Sequence, residues 1–538
     1  MRIALFLLLA SSAASAQIFA EHSFTRKDSL HGGLRPERTS YDVQRYDLDI
    51  KIDTEAKTIV GFNDITFKVV DATSKIQVDL FENMKVDSIV SDKKQLMYKR
   101  EFNAIFVDFP SALKKGSQKT VRVYYSGTPI AAPRAPWQGG FDWKKDRTGK
   151  TFAGVAVQGT GASLWYPVKD SQTDEPDKGA SIKVAVPNGL MNVSNGRFKG
   201  SKDLKNGYTR WDWEVKSPIN NYDITVNIAD YAHIHDTHKG LDLDYYVLKY
   251  NENKAKEHFA EVKTMLDCFQ SKFGKYPFAE DGYKLVETPY LGMEHQSAVA
   301  YGNDYKKGYR GNDLSGTGIG TTFDYIIVHE SGHEWFGNSI TSQDIADMWI
   351  HEGFTMYSEA VYIECTLGSE KAHQYMNGIR KGIYNYDPII GKYGVNNEGS
   401  GDMYPKGAWI LHTLRHVVGD DAKWWKILLK YSETNRHKII TTKDVETFFS
   451  KEMELDLAPV FEQYLRTTKI PTLAFAEADG KTTYRYEDCV PGFALPVDVT
   501  INGKTKRIVP TDKPQTLDAK LSEVKFVKDN FLVNSKGL

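Results

Sequence analysis

The sequence His-Glu-Ser-Gly-His at residues 329–333 constrains this chain more than any other feature, because it predicts a metal-binding helix. On a helix, His329 and His333 are four residues apart, so both imidazoles project from one face and can bind one ion. Eighteen residues separate His333 from Glu352, which supplies a third ligand. A catalytic zinc keeps a fourth position for water and lowers the pKa of that water to about 7, and Glu330 lies where a base is needed.

The continuation of the sequence argues against a chance match, which the 14 histidines of the chain would otherwise allow. Residues 334–338 read Glu-Trp-Phe-Gly-Asn, and residues 349–354 read Trp-Ile-His-Glu-Gly-Phe. With these segments the chain resembles the gluzincin aminopeptidases, peptidase family M1, in a short form without the large carboxy-terminal helical domain of many relatives. The resemblance implies that the two histidines and Glu352 bind one Zn²⁺ per chain, with Glu330 as the general base.

Glu359 lies seven residues beyond Glu352, which is two helical turns along the same face. Histidines that bind a metal usually donate their second N–H to a carboxylate, which fixes the tautomer and raises the basicity of the ring. We therefore predict that Glu359 accepts the second N–H of a metal-binding histidine and so orients its ring. The alternative is an ordinary solvent-facing glutamate on a helix.

An exopeptidase also has to recognise the free amino terminus of its substrate, which requires a carboxylate that pairs with an ammonium ion. The family places that carboxylate in a G-x-M-E-N sequence upstream of the metal helix, and residues 292–295 of this chain read Gly-Met-Glu-His. The resemblance implies that Glu294 binds the amino terminus and that Gly292 and Met293 contact the substrate. His295 replaces an asparagine, and an imidazole can donate one hydrogen bond and become charged near neutral pH.

The resemblance also implies a donor for the oxyanion that forms as a peptide bond is attacked. The family has a Y-x-K-G sequence whose tyrosine plays this part, and residues 404–407 read Tyr-Pro-Lys-Gly, 52 residues after Glu352. Tyr404 is therefore the predicted oxyanion donor. Pro405 fits the first turn of a helix, where the missing N–H costs least.

Gln158 aligns with a second amine contact that the family takes from its amino-terminal domain. It lies nine residues before Pro167, as the family pattern requires. The intervening Gly159-Thr160-Gly161 differs from the usual family segment, so a plain strand residue is the alternative for Gln158.

Two other functions share parts of this pattern. A zinc endopeptidase has the H-E-x-x-H sequence but has no use for Glu294 as an amine anchor. A non-catalytic peptide-binding protein can retain the same fold, and the departures His295 and His351, both at family asparagine positions, favour that alternative. Because every residue that the mechanism needs is present, we predict a zinc-dependent aminopeptidase that acts on peptides with a free amino terminus.

The amino terminus predicts export. Residues 1–16 have the pattern of a secretory signal peptide, with Arg2, a short apolar run and the ending Ala14-Ser15-Ala16. We expect cleavage after Ala16 and a periplasmic or extracellular protein. No later stretch approaches the roughly 18 apolar residues of a transmembrane segment. A formal net charge of −1 gives no case for a nucleic-acid partner, and the sequence does not indicate the oligomeric state.

The hydrophobic pattern predicts an α+β multidomain chain. Residues 17–237 alternate apolar and polar side chains, as between Tyr46 and Ile52, and predict a saddle-like antiparallel β domain. Residues 238–468 contain longer helical stretches such as 257–273 and, by the resemblance, form a thermolysin-like, mainly helical catalytic domain. Residues 469–538 return to alternation, with a hairpin turn at 501–504, and suffice for a small β-sandwich.

The three cysteines, Cys268, Cys365 and Cys489, are an odd number and are widely spaced. They form neither a disulfide framework nor a set with metal-ligand spacing. We therefore expect free, mostly buried thiols, and a single bridge between Cys268 and Cys365 is the open alternative.

Overall fold

A computed structural model describes residues 23–538, so the predicted signal peptide at 1–16 lies outside the described residues. The first part of the chain contains two short helices and fifteen strands: α1 (Arg26–Gly32), α2 (Pro36–Thr39), β1 (Tyr41–Asp53), β2 (Thr58–Val69), β3 (Thr73–Asp79), β4 (Met84–Ser91), β5 (Lys94–Gln95), β6 (Met97–Glu101), β7 (Ala104–Leu113), β8 (Gln118–Gly127), β9 (Gly140–Lys145), β10 (Thr151–Ala156), β11 (Ala180–Pro187), β12 (Met191–Val193), β13 (Arg197–Asp203), β14 (Tyr208–Val215) and β15 (Asn227–Ala229).

The strands of this part form three sheets. The largest has the order β13-β14-β11-β1-β2-β8-β4-β5 and is antiparallel except between β1 and β11, which run parallel. The two smaller sheets have the orders β12-β15-β10-β9 and β3-β7-β6. Every second residue of β1 from Tyr46 to Ile52 is buried, as is every second residue of β2 from Ile65 to Val69. The predicted alternation is therefore confirmed in these strands.

The second part of the chain is mainly helical. Its elements are β16 (Tyr231–His238), β17 (Leu241–Leu248), α3 (Glu252–His258), α4 (Glu261–Phe273), β18 (Tyr283–Glu287), β19 (Gly292–Met293), β20 (Val299–Tyr301), α5 (Tyr325–Gly332), β21 (Ile340–Ser342), α6 (Trp349–Leu367), α7 (Ser369–Ile379), α8 (Pro405–Val418), α9 (Asp421–Asn435), β22 (Lys438–Ile440), α10 (Thr442–Met453) and α11 (Ala458–Arg466). A five-stranded sheet with the order β16-β17-β18-β20-β19 begins this part and places β19 at its edge, against α5.

Helix α5 begins at an N-cap, since the Asp324 carboxylate accepts hydrogen bonds from the backbone N–H groups of Ile326 and Ile327. The helix ends at Gly332, but His333 keeps right-handed helical angles, so the four-residue spacing of the two histidines still places them on one face. The chain then turns away through Gly337, whose φ of 132° favours glycine.

Helix α6 passes through the core and carries the downstream acidic residues. All of its residues from Trp349 to Ile363 are buried, so the helix is enclosed on every side. It approaches α8 closely at Gly353 and Gly407, where a Cβ atom on Gly353 would lie 2.9 Å from the Cα of Gly407. This close approach brings the start of α8 next to the start of α6.

The predicted helix over residues 257–273 is wrong as a single element. The structure has α3 and α4 instead, and Phe259 and Ala260 separate them. Phe259 is 1% exposed and packs on Tyr245, Tyr301 and Tyr305, so a tertiary contact, rather than helix propensity, places the break.

The last part of the chain returns to strands: β23 (Thr472–Ala478), β24 (Lys481–Glu487), β25 (Val497–Ile501), β26 (Lys504–Ile508), β27 (Gln515–Leu517), β28 (Val524–Phe526) and β29 (Asn534–Lys536). They form sheets with the orders β27-β24-β23-β29 and β26-β25-β28, and the predicted turn at 501–504 joins β25 to β26. The chain is thus mixed α+β, with a β-rich amino-terminal domain followed by a mainly helical domain.

The expectation of free thiols is wrong for two of the three cysteines. Cys268 on α4 and Cys365 on α6 form a disulfide, with Cα atoms 5.9 Å apart, while Cys489 is free and half-buried. The two cysteines are 97 positions apart in sequence, so sequence spacing alone could not show that α4 packs on α6. Among residues 23–538, no helix is both long and apolar enough to cross a membrane.

Candidate metal centre and substrate cleft

His329, His333 and Glu352 meet at one point between α5 and α6. The Oε2 atom of Glu352 lies 3.3 Å from Nε2 of His333 and 3.6 Å from Nε2 of His329. All three side chains are at least 95% buried. The predicted ligand set is therefore assembled by the fold, with one ligand atom from each residue within 4.8 Å of the others.

The donor atoms of this trio fit a zinc ion. Oε2 of Glu352 is buried and has no hydrogen-bond partner, which is costly for a carboxylate unless a cation completes it. Two ligands of a tetrahedral zinc, each about 2.0–2.2 Å from the ion, are separated by about 3.3 Å, as these atoms are. Burial alone would raise the pKa of Glu352, but the facing His333 and His329 rings lower it, which keeps the carboxylate ionised.

In both histidines the Nδ1 atom, which faces away from the shared point, already has a hydrogen-bond partner. Nδ1 of His329 lies 2.7 Å from the Glu359 carboxylate, which also accepts a hydrogen bond from the Tyr375 hydroxyl. Nδ1 of His333 lies 2.9 Å from the carbonyl oxygen of Phe336. Both rings therefore keep Nε2 free for the shared point. Glu359 is fully buried, so the alternative of a solvent-facing glutamate is wrong.

Glu330 lies beside the trio and faces Gly292 on β19. A Cβ atom on Gly292 would lie 2.7 Å from Oε1 of Glu330, so a larger residue there would displace the carboxylate. Burial raises the pKa of Glu330 to about 7, against the lowering effect of His329 and His333. A carboxyl group with such a pKa can both accept and donate a proton near neutral pH.

Glu294 follows β19 and lies next to the metal centre. Its carboxylate comes within 4.8 Å of ligand atoms of Glu330 and His333. Gln158, from the amino-terminal domain, donates a hydrogen bond to Oε1 of Glu294 at 2.6 Å, and the Tyr222 hydroxyl donates to the same atom at 3.3 Å. Glu294 is 2% exposed, and burial raises its pKa. An incoming cation would reverse that shift by pairing with the carboxylate.

Tyr404 lies immediately before α8, next to His329. Its ring stacks near that of His329, with the centroids 6.2 Å apart. Pro405 is the first residue of α8, as predicted. The close approach of α6 and α8 therefore brings Tyr404 to the metal centre from a distant part of the sequence.

These residues open onto one cavity of about 320 Å³, a size that suits a small ligand. Nine of the ten predicted site residues line it, and the tenth, Glu359, lies behind His329. Sequence reasoning missed other lining residues, including Arg134, Trp137 and Glu398. They come from irregular segments that carry no motif, so no local signal could have found them.

The two departures from the family pattern are buried and neutral. His295 is 1% exposed, and burial lowers its pKa to about 3. Burial therefore favours the neutral ring at this position. His351 also has a pKa lowered to about 3 by burial, and its Nε2 accepts the backbone N–H of Ser342 at 2.8 Å. This ring supports the chain behind Glu352.

Comparison with protein families gives two matches that together span most of the chain. Residues 42–222 match the Peptidase M1 N-terminal domain, and residues 258–464 match the Peptidase family M1 domain. Among individual proteins, Aminopeptidase N of Lactobacillus helveticus is 22% identical over 82% of this chain and 53% of its own length. Human Aminopeptidase B is 28% identical over 52% of this chain and 44% of its own length.

Human Endoplasmic reticulum aminopeptidase 1 is 22% identical over 62% of this chain and 36% of its own length. The chain thus spans about a third to a half of the length of these relatives. Among solved structures, an M1 zinc metallopeptidase mutant from Deinococcus radiodurans, bound to a Tyr-Ser-Ala substrate, superposes with a TM-score of 0.66. It is 19% identical and covers 82% of this chain and 96% of its own, a likeness that shows the fold.

Proposed function

Because the chain belongs to peptidase family M1, we propose that it is a zinc-dependent aminopeptidase that releases amino-terminal residues from peptides. The observation that carries this proposal is the shared cavity, onto which both the His-His-Glu trio and Glu294 open. A substrate whose ammonium group pairs with Glu294 presents its first peptide bond to the trio. Anchoring and cleavage so close together restrict the reaction to the first bond.

In this proposal His329, His333 and Glu352 hold one zinc ion per chain. When bound, zinc lowers the pKa of a water to about 7 and polarises the substrate carbonyl. Glu359 accepts the N–H at Nδ1 of His329 and so keeps Nε2 of that ring as a ligand. The orphaned Oε2 atom of Glu352 is the strongest support for this ligand set.

Glu330 is the proposed general base. It takes a proton from the attacking water and later returns that proton to the amine that leaves. A pKa near 7 suits both steps, because the group is then neither too weak a base nor too weak an acid at neutral pH. Gly292 keeps the space that the carboxylate needs.

Glu294 is the proposed anchor for the substrate ammonium group, and Gln158 positions it. Gln158 donates to Oε1 of Glu294, which leaves the other carboxylate oxygen to accept from the ammonium group. Gly292 and Met293 form the edge strand β19, whose outer backbone groups can pair with an extended peptide. The substrate chain would then run along this edge, with its amino end at Glu294.

Tyr404 is the proposed donor to the oxyanion. Negative charge develops on the carbonyl oxygen as the carbon becomes tetrahedral, and a hydroxyl aimed at that oxygen stabilises the transition state. Tyr404 lies beside His329 and lines the same cavity as Glu294, which supports this role.

Paired substrates test the proposal. Aminoacyl reporter amides, each with a free or an acetylated amino group, are incubated with the protein with and without a zinc chelator. We expect cleavage of the free substrates only, loss of cleavage after chelation, and recovery with added Zn²⁺. Equal cleavage of acetylated peptides would identify an endopeptidase, and no cleavage by zinc-loaded protein would identify a peptide-binding protein.

We also propose export and a three-domain division with boundaries at residues 237 and 468. The disulfide between Cys268 and Cys365 supports an oxidising compartment, periplasmic or extracellular, since such bonds rarely persist in the cytosol. The two carboxy-terminal sheets support a small β-sandwich over residues 469–538. Amino-terminal sequencing of the secreted protein, with Gln17 expected first, tests the export.

A further inference from the structure

A second cluster of metal-ligating side chains lies between α7 and α8, outside the lining of the substrate cavity. It consists of His373 on α7 and of His412 and His416 on α8, with one ring nitrogen of each within 4.8 Å of the others. We propose that these three histidines form a second metal site, which binds a divalent transition ion that prefers imidazole ligands, such as Zn²⁺.

The spacing on α8 already suits a chelate. His412 and His416 are four residues apart on one helix face, and their ring centroids lie 4.7 Å apart with the planes at 82°. The corresponding values for His329 and His333 are 5.0 Å and 78°. The second pair therefore presents its rings in nearly the same arrangement as the pair in the proposed zinc centre.

His373 supplies the third ligand from the neighbouring helix. Its Nδ1 atom lies 3.2 Å from Nε2 of His412, close to the separation of about 3.3 Å between two nitrogen ligands of a tetrahedral zinc. Its Nε2 atom lies 3.1 Å from the side-chain amide of Asn377. In this arrangement the Asn377 amide donates to Nε2 and the ring proton lies on Nδ1, facing Nε2 of His412. Binding of an ion at Nδ1 therefore requires this proton to leave and the Asn377 amide to turn its oxygen toward an N–H at Nε2.

His416 is the member of the cluster that packing alone does not explain. Its Nε2 atom is buried and has no hydrogen-bond partner, although a buried ring nitrogen in a purely structural role is normally paired. A bound ion would supply the missing partner.

Charged side chains of both signs surround the cluster. Arg415 lies on the same helix, but its guanidinium pairs with Glu364 and Asp421, which offset its charge. The cavity that His373 lines also contains the carboxylate of Asp529 and the basic residues Arg380, Lys381 and Lys528. A bound ion would thus face basic groups as well as this carboxylate across the cavity.

The cluster has an entry path and a structural effect. His373, Asn377 and Asp529 line a cavity of about 670 Å³ through which an ion can reach the ring of His373. The side chain of Asn377 also donates to the Asp529 carbonyl at 3.3 Å, and the ring of His416 packs near that of Phe531. An ion at this site would therefore fasten α7 to α8 next to the carboxy-terminal strands, and it would stabilise the fold.

Another group, His233, His235 and Asp244, provides a matched control because it lies on the exposed surface of β16 and β17. Both of its histidines already contact the Asp244 carboxylate, at 2.7 and 2.9 Å. Its rings are thus paired without an ion, in contrast to His416. The substitution His233→Ala together with His235→Ala removes this group without touching the cluster between the helices.

The test is a Co²⁺ titration of the full chain after chelation, followed by visible absorption and by elemental analysis for stoichiometry. We expect two equivalents for the wild type and the surface variant, and one for His373→Ala combined with His416→Ala. Loss of partners outside the ligand set already weakens metal binding 10–100-fold, so loss of two ligands should weaken the second equivalent by more than about 100-fold. The retained first equivalent shows that the variant is folded.

Three results would overturn the proposal: one equivalent in the wild type, two in the cluster variant, or loss of the second equivalent in the surface variant. If the double variant does not fold, His373→Ala alone is titrated, because His373 lies at the cavity rim and is only half-buried. In crystals soaked with Zn²⁺, anomalous scattering at the zinc edge should give a peak between His373 and His416, and a peak only at His329 and His333 would contradict the second site.

Discussion

Two pairs of histidines in this chain have the same spacing and nearly the same ring geometry but very different surroundings. His329 and His333 lie among carboxylates, with Glu352, Glu330 and Glu359 in contact or close by. His412 and His416 meet a third imidazole and a neutralised arginine instead. The contrast teaches that helical spacing creates a chelate, while the acidic groups around it create reactivity.

The surroundings also set the charge of the rings. Burial alone would lower the pKa of His329, but the hydrogen bonds of its ring nitrogens to Glu352 and Glu359 raise that pKa well above the usual value. At His412 burial acts without such partners and the pKa falls. The first centre, at His329 and His333, thus contains carboxylates that can bind a metal ion, accept a proton and pair with an ammonium group. The second centre, at His412 and His416, offers an ion only the lone pairs of neutral imidazoles.

The largest expected loss of activity comes from removing Glu330, the proposed base of the first centre, which has no counterpart in the second centre. Glu330→Gln keeps the shape and the metal but cannot take a proton, so turnover should fall about 10³- to 10⁴-fold. Steady-state kinetics and zinc content measure the two quantities. Glu257→Gln, an exposed change on α3, should leave both unaltered, and retained turnover in Glu330→Gln would show that the base is another group.

The next largest loss of activity should come from removing the hydroxyl donor of Tyr404, which has no counterpart in the second centre. Tyr404→Phe removes one hydroxyl, and loss of one oxyanion donor typically costs about 10²- to 10³-fold in kcat. KM should change little, because the interaction develops in the transition state. A rise in KM with unchanged kcat would instead place Tyr404 in ground-state binding.

Glu294→Ala tests whether the extra carboxylate serves the amino terminus. Truncating one partner of a buried charge pair costs about 2–4 kcal/mol, so kcat/KM for free-amine substrates should fall roughly 30- to 1000-fold. Gln158→Ala should give a smaller loss of about tenfold, because it removes one hydrogen bond to a charged group. If both variants cleaved free-amine substrates normally, the anchor would lie elsewhere.

Glu359→Gln tests how much a carboxylate behind a metal-binding histidine contributes to the zinc affinity of the first centre. The amide can still contact Nδ1 of His329, but it lacks the charge that raises the basicity of the ring, so zinc affinity should fall about 10- to 100-fold. Competition with a chelator of known affinity measures this. Glu370→Gln on the exposed face of α7 is the control, and equal affinities for both variants would remove Glu359 from the metal centre.

The smallest expected effect is on the pH dependence of stability. His295 has a folded pKa of about 3 against about 6.5 when unfolded, so the unfolded chain gains a proton first as the pH falls below 6.5. This residue should cost about 1–2 kcal/mol of stability at pH 5, and His295→Asn should reduce the fall in Tm between pH 7 and pH 5.

His235 provides the opposite case for the same measurement. Its ring is exposed, and the Asp244 carboxylate raises its pKa, so its contribution is present at low pH and is lost as the pH rises. His235→Asn should therefore steepen the fall in Tm toward pH 5, or leave it unchanged. A steeper fall in His295→Asn would contradict the buried, neutral state of His295.

Local pattern was enough to predict the elements that carry the site. The spacing of His329 with His333, and of Glu352 with Glu359, reflects helix geometry, which is fixed by the backbone. The packing of α5 on α6 then brings the two pairs together. Alternation in β1 and β2 likewise follows from the two-residue period of a strand with one buried face.

Features that depend on distant packing were not predictable. The break at Phe259, the disulfide of Cys268 with Cys365, and the burial that keeps His295 neutral all depend on residues far away in sequence. The cavity walls at Trp137 and Glu398 have the same origin, since irregular segments carry no periodic signal. The residues of the three-histidine cluster belong to no known motif, and only the packing of α7 on α8 brings them together.

The central claim is that the carboxylate-rich centre removes residues from the amino end of a peptide, one at a time. Time-resolved mass spectrometry of one defined decapeptide, free or acetylated at its amino terminus, tests this directly. We expect a ladder of products that shorten by one residue from the amino end, with the acetylated peptide left intact. Internal fragments, or cleavage of the acetylated peptide at the same rate, would contradict it.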